Sequence, residues 1–133
     1  MNMTALPLRI PAGADLRAAL AALPAAHGVA AAFVVQGIGS LSVARIRYAG
    51  VAGPAELRGD LELLSLGGSL APDGVHLHLA VADAQGRVTG GHMGPGCIVR
   101  TTAEVLVALL PGHRFSREHD AATGFQELRV DRA

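Results

Sequence analysis

The amino-acid sequence predicts an α+β fold, a mostly antiparallel sheet of about seven strands with one main helix. Only one segment, Gly13–His27, carries apolar residues at helical spacing, with leucines at 16, 20 and 23 and Gly28 as a stop signal. The remainder consists mainly of short segments rich in Val, Leu and Ile, separated by turns that contain Gly, Pro or Asp. With 133 residues, the chain has the size of one domain, and we expect residues 1–133 to form a single unit.

The strand predictions rest on alternation of apolar and polar residues and on continuous apolar runs. Ile98–Leu110 fits two patterns, because Thr101 and Glu104 match a helix capping box whereas its alternating valines match a strand. We favour the strand. Residues 111–124 are expected to form a loop. Leu6–Ile10 alternates weakly and is a candidate for a short first strand. The seven other predicted strands are Ala30–Val35, Ser42–Tyr48, Leu61–Leu70, Val75–Asp83, Val88–Met93, Ile98–Leu110 and Phe125–Val130.

Charge and hydropathy exclude several classes of protein. Eleven Arg balance eleven Asp plus Glu and there is no Lys, so the chain lacks the basic excess of domains held to nucleic acid by bulk charge. The apolar runs, Val29–Val35 and Val105–Leu110, are far shorter than the ~20 residues that span a bilayer. The single cysteine, Cys97, excludes an intrachain disulfide and suits a reducing compartment, so we expect a cytoplasmic protein without membrane partners. The mean hydropathy of +0.38 is high for a soluble monomer and favours partner subunits that cover apolar surface.

The turn at Asp83–Arg87 predicts a histidine cluster. A three-residue hairpin loop with Gly at its third position favours a type I turn plus bulge, which pairs Asp83 with Arg87 and places His78 opposite His92. His76 lies two residues from His78 and projects from the same face. Cross-strand Cβ atoms are about 4.5–5.5 Å apart, close enough for the three imidazoles to share one ion.

Three neutral imidazoles suit a divalent ion, zinc above all, with the remaining positions open to water or a small-molecule ligand. The alternative interpretation is an exposed sheet face that happens to carry polar residues. The preceding turn, Ala71–Val75, has the same apparent shape and would place Gly68 opposite His78, leaving room beside the imidazole.

Other candidate motifs have simpler explanations. Gly37 and Gly39 do not form a dinucleotide fingerprint, because Ser42 occupies the third glycine position and a strand pattern follows. Cys97 is more consistent with a small buried residue than with a nucleophile. Arg45 and Arg47 share a strand face that is either solvated or meets an anion. The remaining histidines are not expected to be ligands: His27, His113 and His119.

Six blocks of this sequence resemble the PPC domain, the plant-and-prokaryote conserved domain, in the order found in that family. The resemblance spans roughly positions 6–130. The family's Gly-Arg-Phe-Glu-Ile-Leu block is altered here to Gly59-Asp60-Leu61-Glu62-Leu63-Leu64. The matching blocks are Gly37–Leu41 with Ala44, Leu61–Leu66, Gly74–Leu79, Gly90–Met93, Thr101–Val105, and Arg117-Glu118 to Thr123-Gly124 and Leu128.

The resemblance implies a compact α+β fold that assembles as a homotrimer. It also implies that His76, His78 and His92 cluster, in some bacterial relatives in a form suited to a metal. Bacterial members often carry the label of DNA-binding proteins, and plant members combine the domain with an AT-hook, an Arg-Gly-Arg-Pro element that this chain lacks.

Two hypotheses of function follow. The first is a homotrimeric binding module whose three-histidine site holds a metal or small ligand, with a DNA-associated or regulatory role. The alternative is a small metal-dependent enzyme in which the histidine-bound ion activates water. An enzyme also needs a general base, for which Glu62, Asp73 and Glu104 are candidates.

Overall fold

The computed structural model describes residues 2–133 as eight strands and two short helices. All pairings between these strands are antiparallel. The large sheet has the strand order β1-β6-β2-β3-β4-β5, and β7 and β8 form a separate two-stranded sheet. The elements are β1 (Thr4–Pro11), α1 (Leu16–Ala21), α2 (Leu23–Ala26), β2 (Ala32–Arg47), β3 (Ala55–Ala71), β4 (Gly74–Ala82), β5 (Val88–Met93), β6 (Ile98–Leu109), β7 (His113–His119) and β8 (Gln126–Arg132).

Strands β2 to β5 close into a ring. Strand β5 pairs with β4 along most of its length, and its last residues pair with the end of β2, as Met93 with Ile46 and His92 with Arg47. This closure is possible because β2 has 16 residues and β3 has 17, so each strand bends and reaches different neighbours along its length. The histidine-bearing hairpin therefore has partners on both sides.

The apolar core lies between the curved sheet and α1. Leu16 and Leu20 of α1 are fully buried, as are Leu41 and Ile46 of β2. Asp15 accepts a hydrogen bond from Ala18 N at 3.1 Å and another from Gly96 N at 3.0 Å, which caps the helix and ties it to the loop before β6. Among the described residues, no helix has the length and apolar character that crossing a membrane requires.

The predicted α+β class with a mostly antiparallel sheet is confirmed, but the single predicted helix is wrong in detail. Gly13–His27 instead contains two helices of six and four residues, which meet at Ala22. Pro24 lacks the N–H that would donate to the Leu20 carbonyl, so the first helix cannot continue through it.

The predicted strands Ala30–Val35 and Ser42–Tyr48 are one strand in the structure, because β2 runs through Gly37 and Gly39 without interruption. The pairing of β2 with its neighbours shifts register near Gln36 and Ser42, which indicates β-bulges at these positions. Gly37 packs closely against β3, since a Cβ there would lie 3.1 Å from the Cβ of Leu66 and would push that side chain away. Strand β3 also begins at Ala55, earlier than the predicted Leu61, as the partner of the far end of β2.

The expected loop over residues 111–124 is half wrong. Strand β7 occupies its first part and pairs with β8 along seven residue pairs. The sequence signal was weak because Phe115 is the one buried residue of β7, packed against Ala31 and Ala71.

The predicted register of the β3–β4 hairpin is wrong by one residue. Ala71 pairs with Gly74 around a two-residue turn, so Gly67 rather than Gly68 lies opposite His78. The three-residue turn would need Gly74 at positive φ, a conformation that it does not adopt. The expected room beside the His78 imidazole is present all the same, because either register places a glycine opposite His78.

Gly68→Ala should destabilise the fold by about 2 kcal/mol or more. Gly68 has φ +146° and lies opposite Leu77, where an added Cβ would overlap the carbonyl oxygen of His76. The measurement is the midpoint of urea unfolding. Gly53→Ala is the matched control, because a Cβ there meets no atom within 4 Å, and its midpoint should stay unchanged. Equal midpoints for the two variants would contradict the close approach of β3 to β4.

Candidate metal centre

The Asp83–Arg87 turn forms as predicted and sets the register of β4 and β5. Gly86 has φ +77° and donates its N–H to the carbonyl of Asp83 at 2.9 Å, while Asp83 N donates to the Arg87 carbonyl at 3.0 Å. The Asp83 carboxylate accepts further hydrogen bonds from the N–H groups of Gln85 and Arg87, both at 2.9 Å. His78 therefore pairs with His92, as the sequence predicted.

The three predicted histidines come together on one face of the sheet. The ring centroids of His78 and His92 are 4.5 Å apart, those of His76 and His78 are 4.8 Å apart, and those of His76 and His92 are 5.1 Å apart. One ring nitrogen from each residue lies within 4.8 Å of the others. Tetrahedral zinc with bonds of about 2.0–2.1 Å separates its nitrogen ligands by about 3.3 Å, so small side-chain rotations suffice.

His76 and His78 also share a hydrogen bond that an ion can replace. Their Nε2 atoms are 3.1 Å apart, so one ring donates its proton to the other. A divalent ion between these nitrogens would accept both lone pairs at once. The donor set thus fits zinc or a similar borderline ion, with three nitrogen ligands and an open position.

The surroundings favour the neutral, metal-binding form of His76 and His92. Burial lowers the pKa of His76, and the positive charges of His78 and Arg117 lower it further, whereas Glu127 acts in the opposite direction. Burial also lowers the pKa of His92, with the charge of Arg47 as the next cause. Both residues are half-buried and His78 is exposed. Neutral imidazoles are the state that binds metal ions.

A groove of about 930 Å³ runs beside the histidines on the outer face of the sheet. His76 and His78 form one wall, and the glycines of β3 leave its floor open. Phe33 of β2 and Leu128 of β8 line the groove with apolar surface. A ligand bound at the ion therefore has both open space and apolar contacts within reach.

Sequence reasoning did not place two charged residues, Arg117 and Glu127, beside the cluster. They come from the β7–β8 sheet, and Arg117 N donates to the carboxylate of Asp73 at the β3–β4 turn. Both charges act on His76. The alternation of β8 was visible in the sequence, but its partner β7 was predicted as loop, so nothing placed this sheet beside the histidines.

The carboxylates considered as general bases do not join the cluster. Asp73 accepts hydrogen bonds from Arg117 N at 3.1 and 3.2 Å. Glu62 and Glu104 line a different groove, together with Arg100. None of the three belongs to the group of potential metal ligands in the described chain.

The other candidate residues do not belong to the histidine cluster. His113 and His119 are exposed residues of β7, and neither they nor His27 join the histidine cluster. Cys97 is fully buried, and its Sγ accepts a hydrogen bond from Arg45 N at 3.3 Å. Burial raises the pKa of the Cys97 thiol, which disfavours the nucleophilic thiolate.

Comparison with known proteins identifies relatives of this architecture. The chain is 50% identical over 124 residues to a bifunctional protein GlmU of Synechococcus sp. (strain JA-2-3B'a(2-13)), covering 93% of this chain and 20% of the relative. It spans about a fifth of the length of the curated relatives that it matches.

Two solved structures share the fold over nearly the whole chain. A hypothetical protein from Salmonella enterica is 39% identical, with a TM-score of 0.94 and coverage of 98% of this chain and 95% of the relative. A metal-containing protein from Archaeoglobus fulgidus is 28% identical, with a TM-score of 0.81 and coverage of 95% and 93%.

A family model matches residues 1–111, which include the histidine-bearing hairpin and strands β1 to β6. The match confirms the resemblance found in the sequence blocks. The chain belongs to the Plants and Prokaryotes Conserved (PCC) domain family.

Proposed function

We propose that this chain is a homotrimeric binding module in which His76, His78 and His92 hold a divalent ion, zinc above all. The observation that carries the proposal is the convergence of three ring nitrogens within 4.8 Å of one another on adjacent strands. The similar Archaeoglobus fulgidus protein is itself described as metal-containing, which supports the choice of a metal over an organic ligand alone. When bound, the ion supplies a Lewis-acid position for a small ligand.

Catalysis by a metal-activated water is the alternative function. Such an enzyme needs a general base within hydrogen-bond reach of the reacting water. Glu62 and Glu104 line another groove, and Asp73 already accepts the N–H of Arg117. The binding module is therefore the function that the site supports best.

Self-association is supported by apolar residues on the outer face of the sheet. Phe33, Gln36 and Ile38 pair with Ala108, Leu106 and Glu104 of β6, and these alternate residues of β6 point to one side. Phe33 also pairs with Ser69, which pairs with His76, so this apolar face is continuous with the histidine cluster. The exposed apolar residues around it are Phe33 (41% exposed), Val35 (55%), Ile38 (49%), Leu64 (45%) and Leu106 (41%).

DNA is the partner suggested by the label of bacterial family members, and the charge of this chain argues for weak contact. The net charge is zero, and four of the eleven arginines form ion pairs with carboxylates in the described chain. The cytoplasm is the compartment that we propose, since the buried Cys97 is a free thiol.

The protein should have three times its chain mass of 13.5 kDa in light scattering. Val35→Glu should convert it to a monomer, because a charge would be buried in the apolar face. Val88→Glu is the control, since Val88 is 62% exposed at the β4–β5 hairpin, outside the apolar face that contains Phe33 and Val35. A wild-type mass near that of one chain at micromolar concentration would contradict the trimer.

Binding to duplex DNA should fall in the non-specific range, with Kd about 10⁻⁴–10⁻⁶ M at physiological salt. The reason is the absence of both net positive charge and an AT-hook. A gel-shift titration with the trimeric protein measures it. Sequence-selective nanomolar binding would show that the charge argument is wrong.

His78→Ala removes one of the three proposed zinc ligands and should weaken zinc affinity by at least about 100-fold. Loss of a residue that only hydrogen-bonds to a metal ligand already weakens metal affinity by about 10–100-fold. The strand should still fold, since Leu77, Leu79 and Val81 carry its buried contacts. Calorimetric titration of metal-free protein with zinc measures the affinity, and circular dichroism checks the fold. His113→Ala is the matched control and should bind zinc like the wild type. Equal zinc affinity in both variants would contradict the site.

Zinc affinity should fall as the pH drops below about 6, because protons compete for the ring nitrogens. The folded protein lowers the pKa of His76 and His92 below the ordinary value, so both are neutral at pH 7 and protonate only in more acidic solution. Zinc titrations at a series of pH values measure the release. An affinity that stays constant down to about pH 5 would exclude histidine ligands.

A further inference from the structure

Arginines surround the histidine cluster on two sides. Arg47 is the register partner of His92 at the point where β5 joins β2, and its Nη1 donates to the Val51 carbonyl at 3.3 Å. Arg47 and Arg17 of α1 line a small cavity of about 260 Å³, and His76 and His92 form part of its wall. Two cationic side chains thus face the space beside two of the three histidines.

Arg117 approaches the cluster from the β7–β8 sheet. A Cβ on Gly74 would lie 3.3 Å from its Cγ, and Gly74 is two residues before His76, on the same strand face. The Nη2 atom of Arg117 donates to the Gln126 carbonyl at 2.6 Å, while Nη1 of Arg117 is buried without a hydrogen-bond partner among the described residues. A buried guanidinium nitrogen without an acceptor is costly, so Arg117 adds a positive charge beside the cluster that no carboxylate side chain of the described residues offsets directly.

The guanidinium groups of Arg17, Arg47 and Arg117 form no ion pair with a carboxylate within residues 2–133. The ion pairs of the described chain use Arg45, Arg58, Arg100 and Arg129. Glu127 is the acidic residue whose charge acts on His76, so it offsets only part of the positive charge. A divalent ion would increase the excess of positive charge further.

We infer that the open position of the proposed metal site takes a small oxyanion, a carboxylate or a phosphate. Arg47 and Arg17 hold this anion in the cavity of about 260 Å³ beside His76 and His92. The inference rests on the proposed metal site and names its ligand class. Guanidinium groups bind carboxylate and phosphate oxygens through paired, charge-assisted hydrogen bonds. At about 30 Å³ per water molecule, the cavity holds roughly eight or nine waters, which is room for one such ion or a small carboxylic acid.

The test uses the full-length protein loaded with cobalt(II), whose visible absorption reports its ligands. Inorganic phosphate and acetate are titrated separately in a buffer that does not bind metal. We expect at least one anion to shift the absorption bands saturably, and the arm that does so identifies phosphate or carboxylate as the ligand. No shift with either anion would overturn the inference.

Arg47→Met and Arg17→Met should still bind cobalt(II), because all three histidines remain. Their affinity for the anion should fall by about 10- to 100-fold, the effect of losing one hydrogen bond to a charged group. Arg87→Met is the matched control, since Arg87 lies in the β4–β5 turn at the other end of the hairpin and should bind the anion like the wild type. Equal anion affinity in all three variants would overturn the inference.

Failure of the metal site is distinguishable from failure of the anion site. If wild-type protein binds no cobalt(II), the proposed function fails. Calorimetric titration of the metal-free protein with the same two anions then decides whether the arginine cavity binds an anion by itself. Heat that Arg47→Met abolishes and Arg87→Met retains would support the arginine cavity. Absence of heat would overturn it.

Discussion

The hydrogen bonds of the Asp83–Arg87 turn are the constraint on which the candidate site depends. They hold Gly86 at positive φ and make the loop three residues long, which sets the pairing of every residue between β4 and β5. A shift of one residue would turn His92 toward the core and place Gly91 opposite His78. The cluster therefore derives from backbone geometry, and the imidazoles need no other scaffold to meet.

Closure of the strand ring gives that hairpin its electrostatic surroundings. Because β5 pairs with β2 at its end, Arg47 lies beside His92, and its charge together with burial holds the pKa of His92 down. On the other side, the β7–β8 sheet places Arg117 and Glu127 near His76. A site built this way favours the neutral form of His76 and His92 while placing positive charge beside them. That combination suits a metal ion that carries an anionic ligand.

The histidine cluster and the exposed apolar face belong to one continuous surface. Ala108, Phe33, Ser69 and His76 are register partners across four adjacent strands, so they project from the same side of the sheet. A copy of the chain that covered Phe33 and Val35 would also border the groove beside the histidines.

Local sequence was sufficient for features that depend on neighbouring residues. The antiparallel α+β class, strand β5 and the meeting of His78 with His92 all follow from alternation and from one turn whose length is set by Gly86. The same local reasoning failed at Ala71–Val75, because two turn geometries suit that sequence and the choice depends on how β3 packs against β4. Pro24 likewise shortened a helix whose apolar spacing looked continuous.

The tertiary structure alone decided what surrounds the histidines. Arg117 follows His78 by 39 residues in the sequence, and it reaches the cluster only because β7 pairs with β8 and docks at the β3–β4 turn. The closure of β5 onto β2 similarly joins His92 to Arg47, which no turn connects. Turn geometry is encoded by a few adjacent residues, whereas these contacts arise from burial and pairing between distant segments. The sequence by itself therefore determined which three histidines meet, and the folded chain determined the charges that face them.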